Sequence, residues 1–335
     1  MSGDRPVLVI GCGLIGTSLA LALTEQGRTV HLADAVPSNV ELAVSRGAGS
    51  ADSVDDPELV VVAVPPSVVA DVTLKALADH PEAVVTDVTS VKTELIDTVE
   101  RSANAERFVG GHPMAGKTQS IEGATADLFK GATWCVCPLP TAKEEAVRNV
   151  LGMIAALDAE PYFIDAHEHD GHVAGVSHLP FVLSAAMVNA VSGDPAWRDM
   201  RTLTSSGFRD TSRLAAGSPT MHRDIAITNR EAVTRWIDAT IAQLQKAQAA
   251  MTQHDTTGPE ELLAFFTQAR DARAEWATQT GREGELVQNT EMDLVKEGFG
   301  DQMGRMLLGG FSKKRRSIAQ AGRSSGNDRQ NPNRS

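Results

Sequence analysis

The chain has 335 residues, of which 42% are hydrophobic, and its formal net charge is -12 at pH 7. This length predicts more than one domain with a sizeable core, and the acidic balance argues against nucleic acid as the main partner. No secretory signal is evident and no uninterrupted apolar run is long enough to span a bilayer, so we expect a cytoplasmic protein without a membrane partner. Cys12, Cys135 and Cys137 are too few for a disulfide framework, and we expect them to be small buried side chains.

The first half of the sequence alternates between strand-like and helix-like segments. Strands are expected over 7–10, 29–33, 59–64, 83–87, 108–110, 133–137 and 162–164, and helices over 14–26 and 143–157. The run from Leu59 to Val64 is continuously apolar and rich in valine, which is typical of a strand buried on both faces. The alternation predicts a parallel sheet with helices on both faces, that is, a doubly wound Rossmann-type α/β domain over residues 1–165.

The character of the sequence changes near residue 166, where the pattern becomes helical without strand periodicity. Residues 173–191 predict a long apolar helix that is buried either in a domain core or at a subunit interface. Further helices are expected over 230–251 and 260–276. We therefore predict an all-α domain over 166–311, followed by a disordered polar tail over 312–335, which is rich in Ser, Asn, Gly and Arg.

A nucleotide-binding signature lies between the first two predicted strands. The hexad Gly11–Gly16 fits G-x-G-x-x-G, a strand precedes it, a helix follows it, and Asp34 ends the second strand. A carboxylate there would accept both ribose hydroxyls and repel a 2′-phosphate, which favours NAD over NADP. The alternative is a glycine-rich turn that binds no nucleotide. The predicted cofactor-binding residues are Gly11, Gly13, Leu14, Ile15, Gly16, Asp34, Val64 and Pro65.

Three further segments carry polar residues in positions suited to a ligand. Ser90 follows the strand that ends at Asp87, His112 lies among small residues in 110–116, and Arg213 ends the polar segment 206–213. A neutral imidazole at His112 could accept a proton from a substrate hydroxyl near physiological pH. The structural alternatives are a helix cap for Ser90, a loop hydrogen bond for His112 and a salt bridge between Arg213 and Asp210.

Taken together with His169-Asp170 and the segment 176–180, these motifs resemble the prephenate/arogenate dehydrogenase family of tyrosine biosynthesis, over residues 7–244. The resemblance implies NAD-dependent oxidative decarboxylation that needs no metal, because aromatisation of the ring drives the loss of CO2. It implies that His112 draws the proton from the substrate's C4 hydroxyl, that Ser90 holds this hydroxyl, and that Arg213 binds a substrate carboxylate. His169-Asp170 opens the interdomain helix and is interpreted as structural.

Departures from the family pattern fall where the substrate side chain would be recognised. Many relatives carry Thr and Glu where this chain has Lys117 and Thr118, and a histidine where it has Phe181. Lys117 would suit the pyruvyl carboxylate of prephenate and repel the ammonium of arogenate, although a lysine is more often solvated. Asp210 either orients Arg213 or belongs to an ionic gate. The predicted substrate-binding residues are Ser90, His112, Lys117, Thr118, Asp210 and Arg213.

The resemblance also implies a homodimer formed through the helical half, with prephenate or arogenate as the small-molecule substrate. A metal cluster of His167, His169 and His172 is disfavoured, because only the last two have helical spacing and no third ligand is well placed. A β-hydroxy acid dehydrogenase would need a lysine in the second domain, yet no lysine lies between Lys143 and Lys246. The remaining alternatives are a dehydrogenase of an amino-substituted prephenate and a non-catalytic NAD-binding sensor dimer.

Overall fold

A computed structural model of the chain describes residues 5–117, 119–253 and 257–279. The first half of it contains a seven-stranded sheet. Its strands are β1 (Val7–Ile10), β2 (Val30–Ala33), β3 (Leu59–Val62), β4 (Val84–Asp87), β5 (Phe108–Pro113), β6 (Thr133–Pro138) and β7 (Glu160–Phe163). Their order across the sheet is β2-β1-β3-β4-β5-β6-β7. The predicted Rossmann-type α/β fold is confirmed in this half of the chain.

Helices connect the strands and cover the sheet. They are α1 (Leu14–Glu25), α2 (Pro37–Ser45), α3 (Pro66–Asp79), α4 (Thr93–Glu100) and α5 (Glu144–Ala156), with short 3₁₀ turns at Ala105–Arg107 and Ile121–Gly123. The alternate side chains Val60 and Val62 of β3 and the apolar faces of α3 and α4 belong to one buried core cluster. All three cysteines are buried and free, as the sequence predicts.

The strand order places a crevice at the carboxyl edge of the sheet. The strand β1 pairs with β2 on one side and with β3 on the other, and both pairs are parallel. The chain therefore leaves β1 and β3 in opposite directions at this edge, which is where open α/β sheets bind ligands. The strand β4 is parallel to β3, β5 is parallel to β4, and both end at the same edge.

The sheet departs from the predicted all-parallel arrangement at β6. This strand runs antiparallel to β5, with Gly110 opposite Cys137 and His112 opposite Cys135. The pairing extends β5 through Pro113, three residues beyond the predicted end at Gly110. The extension arises because β6 provides backbone partners for residues that β4, which ends at Asp87, does not reach. His112 consequently lies within a fully buried strand, not in the loop after it.

The second half of the described chain is helical, as predicted. Its α-helices are α6 (Ala166–Val173), α7 (Leu179–Ser192), α8 (Trp197–Met200), α9 (Ser206–Ser212), α10 (Pro219–Thr228), α11 (Arg230–Thr252) and α12 (Thr257–Gln279). A π-helical turn, Ala174–His178, joins α6 to α7, and 3₁₀ turns lie at Arg201–Leu203 and Arg213–Ala216. The predicted apolar helix therefore contains a wide turn, and only Phe181 and Ser184 of α7 are buried within the single chain.

Among the described residues, the continuous helical stretch Ala166–Ser192 is long and apolar enough to cross a membrane by length and composition. The sequence did not predict a membrane-spanning length here, because polar residues interrupt the apolar run. His169, Asp170, His178 and Ser184 are buried within it and form hydrogen bonds with other segments of the protein. We therefore interpret the stretch as a helix that packs on protein.

The described part of the chain up to Glu275 belongs to one compact unit, Met1–Glu275, which contains the sheet and most of the helical half. The remaining unit, Trp276–Ser335, is described only at its start, where α12 ends. A boundary near residue 165 within the first unit stays a prediction. The predicted end of the helical domain near residue 311 and the predicted polar tail over 312–335 lie outside the described residues.

Candidate active site

The glycine hexad forms a tight turn between β1 and α1. Gly11 has φ +106°, and a Cβ there would lie 2.2 Å from the carbonyl oxygen of Ala63. A Cβ on Gly16 would lie 1.9 Å from the carbonyl oxygen of Gly11. These close approaches require glycine. Val64 lies next to the turn, since its Cγ1 would be 3.2 Å from a Cβ on Gly11. Pro65 follows it at the N-cap position of α3.

The same turn offers space and free donors to an anion. A Cβ on Gly13 would meet no atom within 4 Å, and Gly13, Leu14 and Ile15 are partly exposed. The first turn of α1 begins at Leu14 and has no side-chain cap, so its backbone N–H groups point outward unpaired by a side chain. Unpaired N–H groups and the positive end of the helix dipole suit a pyrophosphate. The residues present therefore fit a dinucleotide.

Asp34 lies at the end of β2, directly beside this turn. Its Oδ2 accepts a hydrogen bond from the backbone N–H of Cys12 at 2.7 Å, and its Oδ1 accepts from that of Val36 at 2.8 Å. The carboxylate also accepts from Asn39 Nδ2 at 3.3 Å, is partly exposed, and retains acceptor capacity for about one further donor. Asp34 thus fixes the glycine turn to β2 and remains available to ribose hydroxyls.

His112 lies near the carboxyl end of β5, at the edge of the sheet where β1 and β3 also end. Only 8% of the residue is exposed. Burial, and then the neighbouring His169, Lys92 and His178, lower the pKa of His112 well below its ordinary value. The imidazole is therefore neutral at physiological pH and can accept a proton.

The helical half provides the partner of His112. Nδ1 of His112 is 2.9 Å from Nε2 of His169, and Nδ1 of His169 is 2.8 Å from Oδ1 of Asp170. Asp170 also accepts the backbone N–H groups of Lys92 and Thr93, each at 2.8 Å. Burial would raise the pKa of Asp170, but the hydrogen bonds from His169 and from these two N–H groups outweigh it and lower the pKa. The carboxylate is therefore ionised.

A buried ion pair lies beneath this chain of groups. The Lys92 ammonium and the Asp87 carboxylate are both fully buried and in contact, and Lys92 Nζ also donates to Thr89 Oγ1 at 2.8 Å. The other carboxylate oxygen of Asp87 accepts the N–H of Gly111 at 3.1 Å. Asp87 and Lys92 thus hold the backbone immediately before His112.

Ser90 follows β4 at the same edge of the sheet and is partly exposed. It does not begin α4 as its cap, because α4 starts at Thr93 and Asp170 accepts the first N–H groups. The alternative role of Ser90 as a helix cap is therefore wrong. Ser90 adjoins His178, and burial lowers the pKa of His178 to about 4. Asn229 donates to Nδ1 of His178 at 3.2 Å.

Arg213 and Asp210 are exposed, and the salt bridge that their spacing allows is not formed. Within the described segments neither side chain has a hydrogen-bonding or ionic partner. Arg213 is the first residue of a 3₁₀ turn. The backbone N–H of Ala215 in this turn donates to Ser184 Oγ of α7 at 3.0 Å. The next residue, Leu214, packs on the buried cluster that contains Val91. Arg213 is thereby placed on the segment facing the loop after β4.

Lys117, which was predicted to recognise the substrate side chain, forms hydrogen bonds within its own loop. Lys117 is exposed, but its ammonium donates to the Gly123 carbonyl at 3.0 Å and to Thr125 Oγ1 at 3.1 Å. The ammonium thus stabilises its own loop. Thr118 lies outside the described residues. Phe181 is buried and stacks on His222, with ring centroids 4.2 Å apart.

Two models of protein families match the chain. The one described as the nucleotide-binding domain of prephenate dehydrogenase matches residues 19–162, and the one described as the dimerization domain of prephenate dehydrogenase matches residues 165–268. The chain belongs to the prephenate dehydrogenase family. The resemblance stated from the motifs is thereby confirmed.

Individual members of this family resemble the chain over most of its length. The prephenate dehydrogenase of Bacillus subtilis is 30% identical over 80% of this chain and 75% of that protein. The structure of an arogenate dehydrogenase from Synechocystis has a TM-score of 0.68 and 28% identity, covering 81% of this chain and 99% of that one. The structure of a prephenate dehydrogenase from Aquifex aeolicus, in complex with hydroxyphenyl propionate and NAD+, has a TM-score of 0.74 and 26% identity. The match covers 81% of this chain and 98% of that one.

Sequence reasoning in this family member found His112 but missed the groups around it. Lys92 was not among the predicted site residues, and His169-Asp170 was interpreted as structural. One signal was available, because a histidine and an aspartate stand side by side in the middle of the first helix of the second half. His169 is buried, whereas His167 and His172 are exposed, and among the described residues no group of three ligand side chains is placed to hold a metal ion.

Proposed function

We propose that this chain is an NAD-dependent prephenate dehydrogenase that converts prephenate to 4-hydroxyphenylpyruvate and CO2 in tyrosine biosynthesis. The observation that carries the proposal is the buried, neutral His112 at the carboxyl edge of the sheet that also holds the glycine turn. Ligands of open α/β sheets bind at this edge. The name of the Bacillus subtilis relative favours prephenate as the substrate.

The residues that would hold the cofactor are the glycine turn and Asp34. The N–H groups at the start of α1 would bind the pyrophosphate, and the Asp34 carboxylate would accept ribose hydroxyls and disfavour a 2′-phosphate. NAD, when bound, takes up the hydrogen and two electrons that leave the substrate ring.

The side chains around the crevice perform the remaining steps. His112 accepts the proton of the C4 hydroxyl as that carbon is oxidised, and Ser90 holds the same hydroxyl. Arg213, whose guanidinium is exposed, binds a substrate carboxylate with two parallel hydrogen bonds. The oxidised ring then releases its own carboxylate as CO2 and becomes aromatic, and the C4 oxygen takes back the proton held by His112, a step that requires no metal from the protein.

Arogenate dehydrogenase is the second candidate function, and the Synechocystis structure supports it. We infer that Lys117 does not discriminate between the two substrates, because its ammonium donates to Gly123 and Thr125. We therefore expect Lys117→Ala to leave the ratio of kcat/KM for prephenate and arogenate unchanged. A ratio that shifts by about tenfold or more would place the Lys117 ammonium at the substrate.

We also propose that the protein is a cytoplasmic homodimer paired through its helical half. Support comes from the matched dimerization domain and from large apolar side chains that the single chain leaves exposed on these helices. They include Val176, Leu203, Leu244 and Met251, each more than half exposed. Light scattering after size exclusion should give twice the mass of 35.5 kDa, and a monomer would contradict the proposal.

The function is tested by following NADH absorbance with prephenate and then with arogenate. Turnover of prephenate is expected, and faster turnover of arogenate would favour the second candidate. Absence of turnover with either substrate would point to another substrate or to a non-catalytic sensor.

A further inference from the structure

A continuous chain of three buried groups connects the strand β5 to the helix α6. His112 is 8% exposed, His169 is fully buried, and Asp170 is 5% exposed. The two imidazoles meet edge to face, with ring centroids 5.1 Å apart and an interplanar angle of 76°. Their nitrogen atoms are 2.9 Å apart, and His169 is 2.8 Å from Asp170. Both links are of hydrogen-bond length.

The protonation states of His112, His169 and Asp170 follow from that of Asp170. The Asp170 carboxylate is ionised and accepts two backbone N–H groups, so it cannot donate to His169. Nδ1 of His169 must therefore carry the proton and donate. In the neutral ring, Nε2 of His169 is then an acceptor, so Nδ1 of His112 must donate to it. Nε2 of His112 is left with a free lone pair.

We propose that His169 and Asp170 are positioning residues that hold His112 in the tautomer whose Nε2 accepts the substrate proton. This inference rests on the proposed function, because it assigns a role to the same histidine. It replaces the interpretation of His169-Asp170 as a purely structural start of the second half of the chain.

The arrangement also stabilises the product of the proton transfer. As the C4 hydroxyl becomes a carbonyl, its O–H bond breaks and the proton forms a bond to Nε2 of His112, while NAD takes up the hydrogen and electron pair from C4. The imidazolium then donates through Nδ1 to His169, and the negative charge of Asp170 acts on it through that ring. Such a carboxylate orients the histidine and stabilises its charged form without itself being protonated.

Other charged groups also face His112 and influence its titration. Lys92, paired with Asp87, lies on the side of β4, and His178 lies on the π-helical turn. Lys92 and a protonated His169 or His178 disfavour the imidazolium, whereas Asp170 is the ionised carboxylate linked to the ring through hydrogen bonds. Removing the charge of Asp170 should therefore lower the apparent pKa of His112 further.

A direct test measures the tautomer by ¹⁵N NMR of the histidine side chains in the full-length, ligand-free protein. The chain has nine histidines, and His112→Asn identifies the signal of His112. We expect a proton on Nδ1 and a bare Nε2 in the wild type. In Asp170→Ala, His169 loses the acceptor that fixes its tautomer, and the protons of both rings should become distributed between Nδ1 and Nε2. A wild-type His112 protonated on Nε2 would overturn the proposal.

A kinetic test uses His169→Phe, with His172→Phe as the matched control. Both residues lie on α6, but His172 is exposed and outside the chain of buried groups. His169→Phe should lower kcat about 100-fold or more and leave KM within about threefold. The control should leave both unchanged. An unchanged kcat in His169→Phe would overturn the proposal.

The proposed function and the inference can fail separately. If His112→Asn retains wild-type turnover, the function assigned to His112 is wrong. If His112→Asn loses turnover while His169→Phe keeps it, only the role of His169 and Asp170 is wrong. The wild-type NMR measurement, with the signal identified by His112→Asn, decides the tautomer even if the His169 or Asp170 variant fails to fold.

Discussion

Replacing Lys92 by methionine removes a fully buried cation while keeping most of the side-chain volume. Its ammonium contacts the equally buried Asp87 carboxylate, which in turn accepts the N–H of Gly111 next to His112. The substitution leaves Asp87 as an unpaired charge in the protein interior. We expect it both to destabilise the protein and to loosen the backbone that carries His112.

The expected magnitude follows from the burial of the pair. Breaking a buried ion pair by removing one partner typically costs 3–5 kcal/mol, because the remaining charge is uncompensated. Two other donors to Asp87, Thr89 and Gly111, remain, so we expect the lower part of this range, about 3 kcal/mol. For a unit of this size, that corresponds to a fall in Tm of roughly 10 °C.

Differential scanning calorimetry of Lys92→Met and of Lys75→Met measures this effect. Lys75 and Asp79 also form an ion pair, but both side chains are at least half exposed, so the control should leave Tm unchanged within error. The double variant Lys92→Met with Asp87→Asn should be more stable than Lys92→Met alone, since it also removes the unpaired charge. A Tm for Lys92→Met as high as that of Lys75→Met would refute the reasoning.

Further predictions concern the cofactor turn, the pH dependence of stability and the substrate anchor. Gly13→Ala should leave Tm unchanged, because the new methyl group meets no protein atom, and raise the Kd for NAD about tenfold or more, because that space would hold the cofactor. The control Gly207→Ala, also in open space, should change neither Tm nor Kd. At pH 5 the unfolded chain binds a proton at His178 and the folded chain, with a pKa of about 4, does not. The contribution of His178 to the free energy of unfolding should therefore rise by about 3 kcal/mol between pH 4 and 6.5. Urea titrations of His178→Gln should not show this contribution. Arg213→Ala should raise KM for prephenate about tenfold with little change in kcat, and an unchanged KM would remove Arg213 from the substrate site.

The local signals in the sequence predict the nucleotide-binding half well, because its elements are defined by short-range patterns. The turn from Gly11 to Gly16, the apolar strand at Leu59 and the acidic residue Asp34 are each recognisable within a few residues. The antiparallel strand β6 was not predictable in this way. Its direction depends on pairing with β5, and the periodicity of a strand carries no information about direction.

The chemistry around His112 was predicted only in part for a similar reason. His112 and His169 are 57 positions apart, and their contact forms only when α6 packs against β5. Lys92 looks like a solvent-exposed lysine in the sequence, since lysines are rarely buried unless paired. Its partner Asp87 is five positions away, and nothing in that spacing indicates that both charges are buried.

The central claim is that His112 is the proton acceptor in an NAD-dependent oxidation of prephenate. The most direct measurement compares NADH formation from prephenate by the wild type and by His112→Asn at saturating NAD. We predict that wild-type turnover is lowered at least about 100-fold in the variant, while the Kd for NAD stays within about threefold. Near-wild-type turnover by His112→Asn would contradict the account.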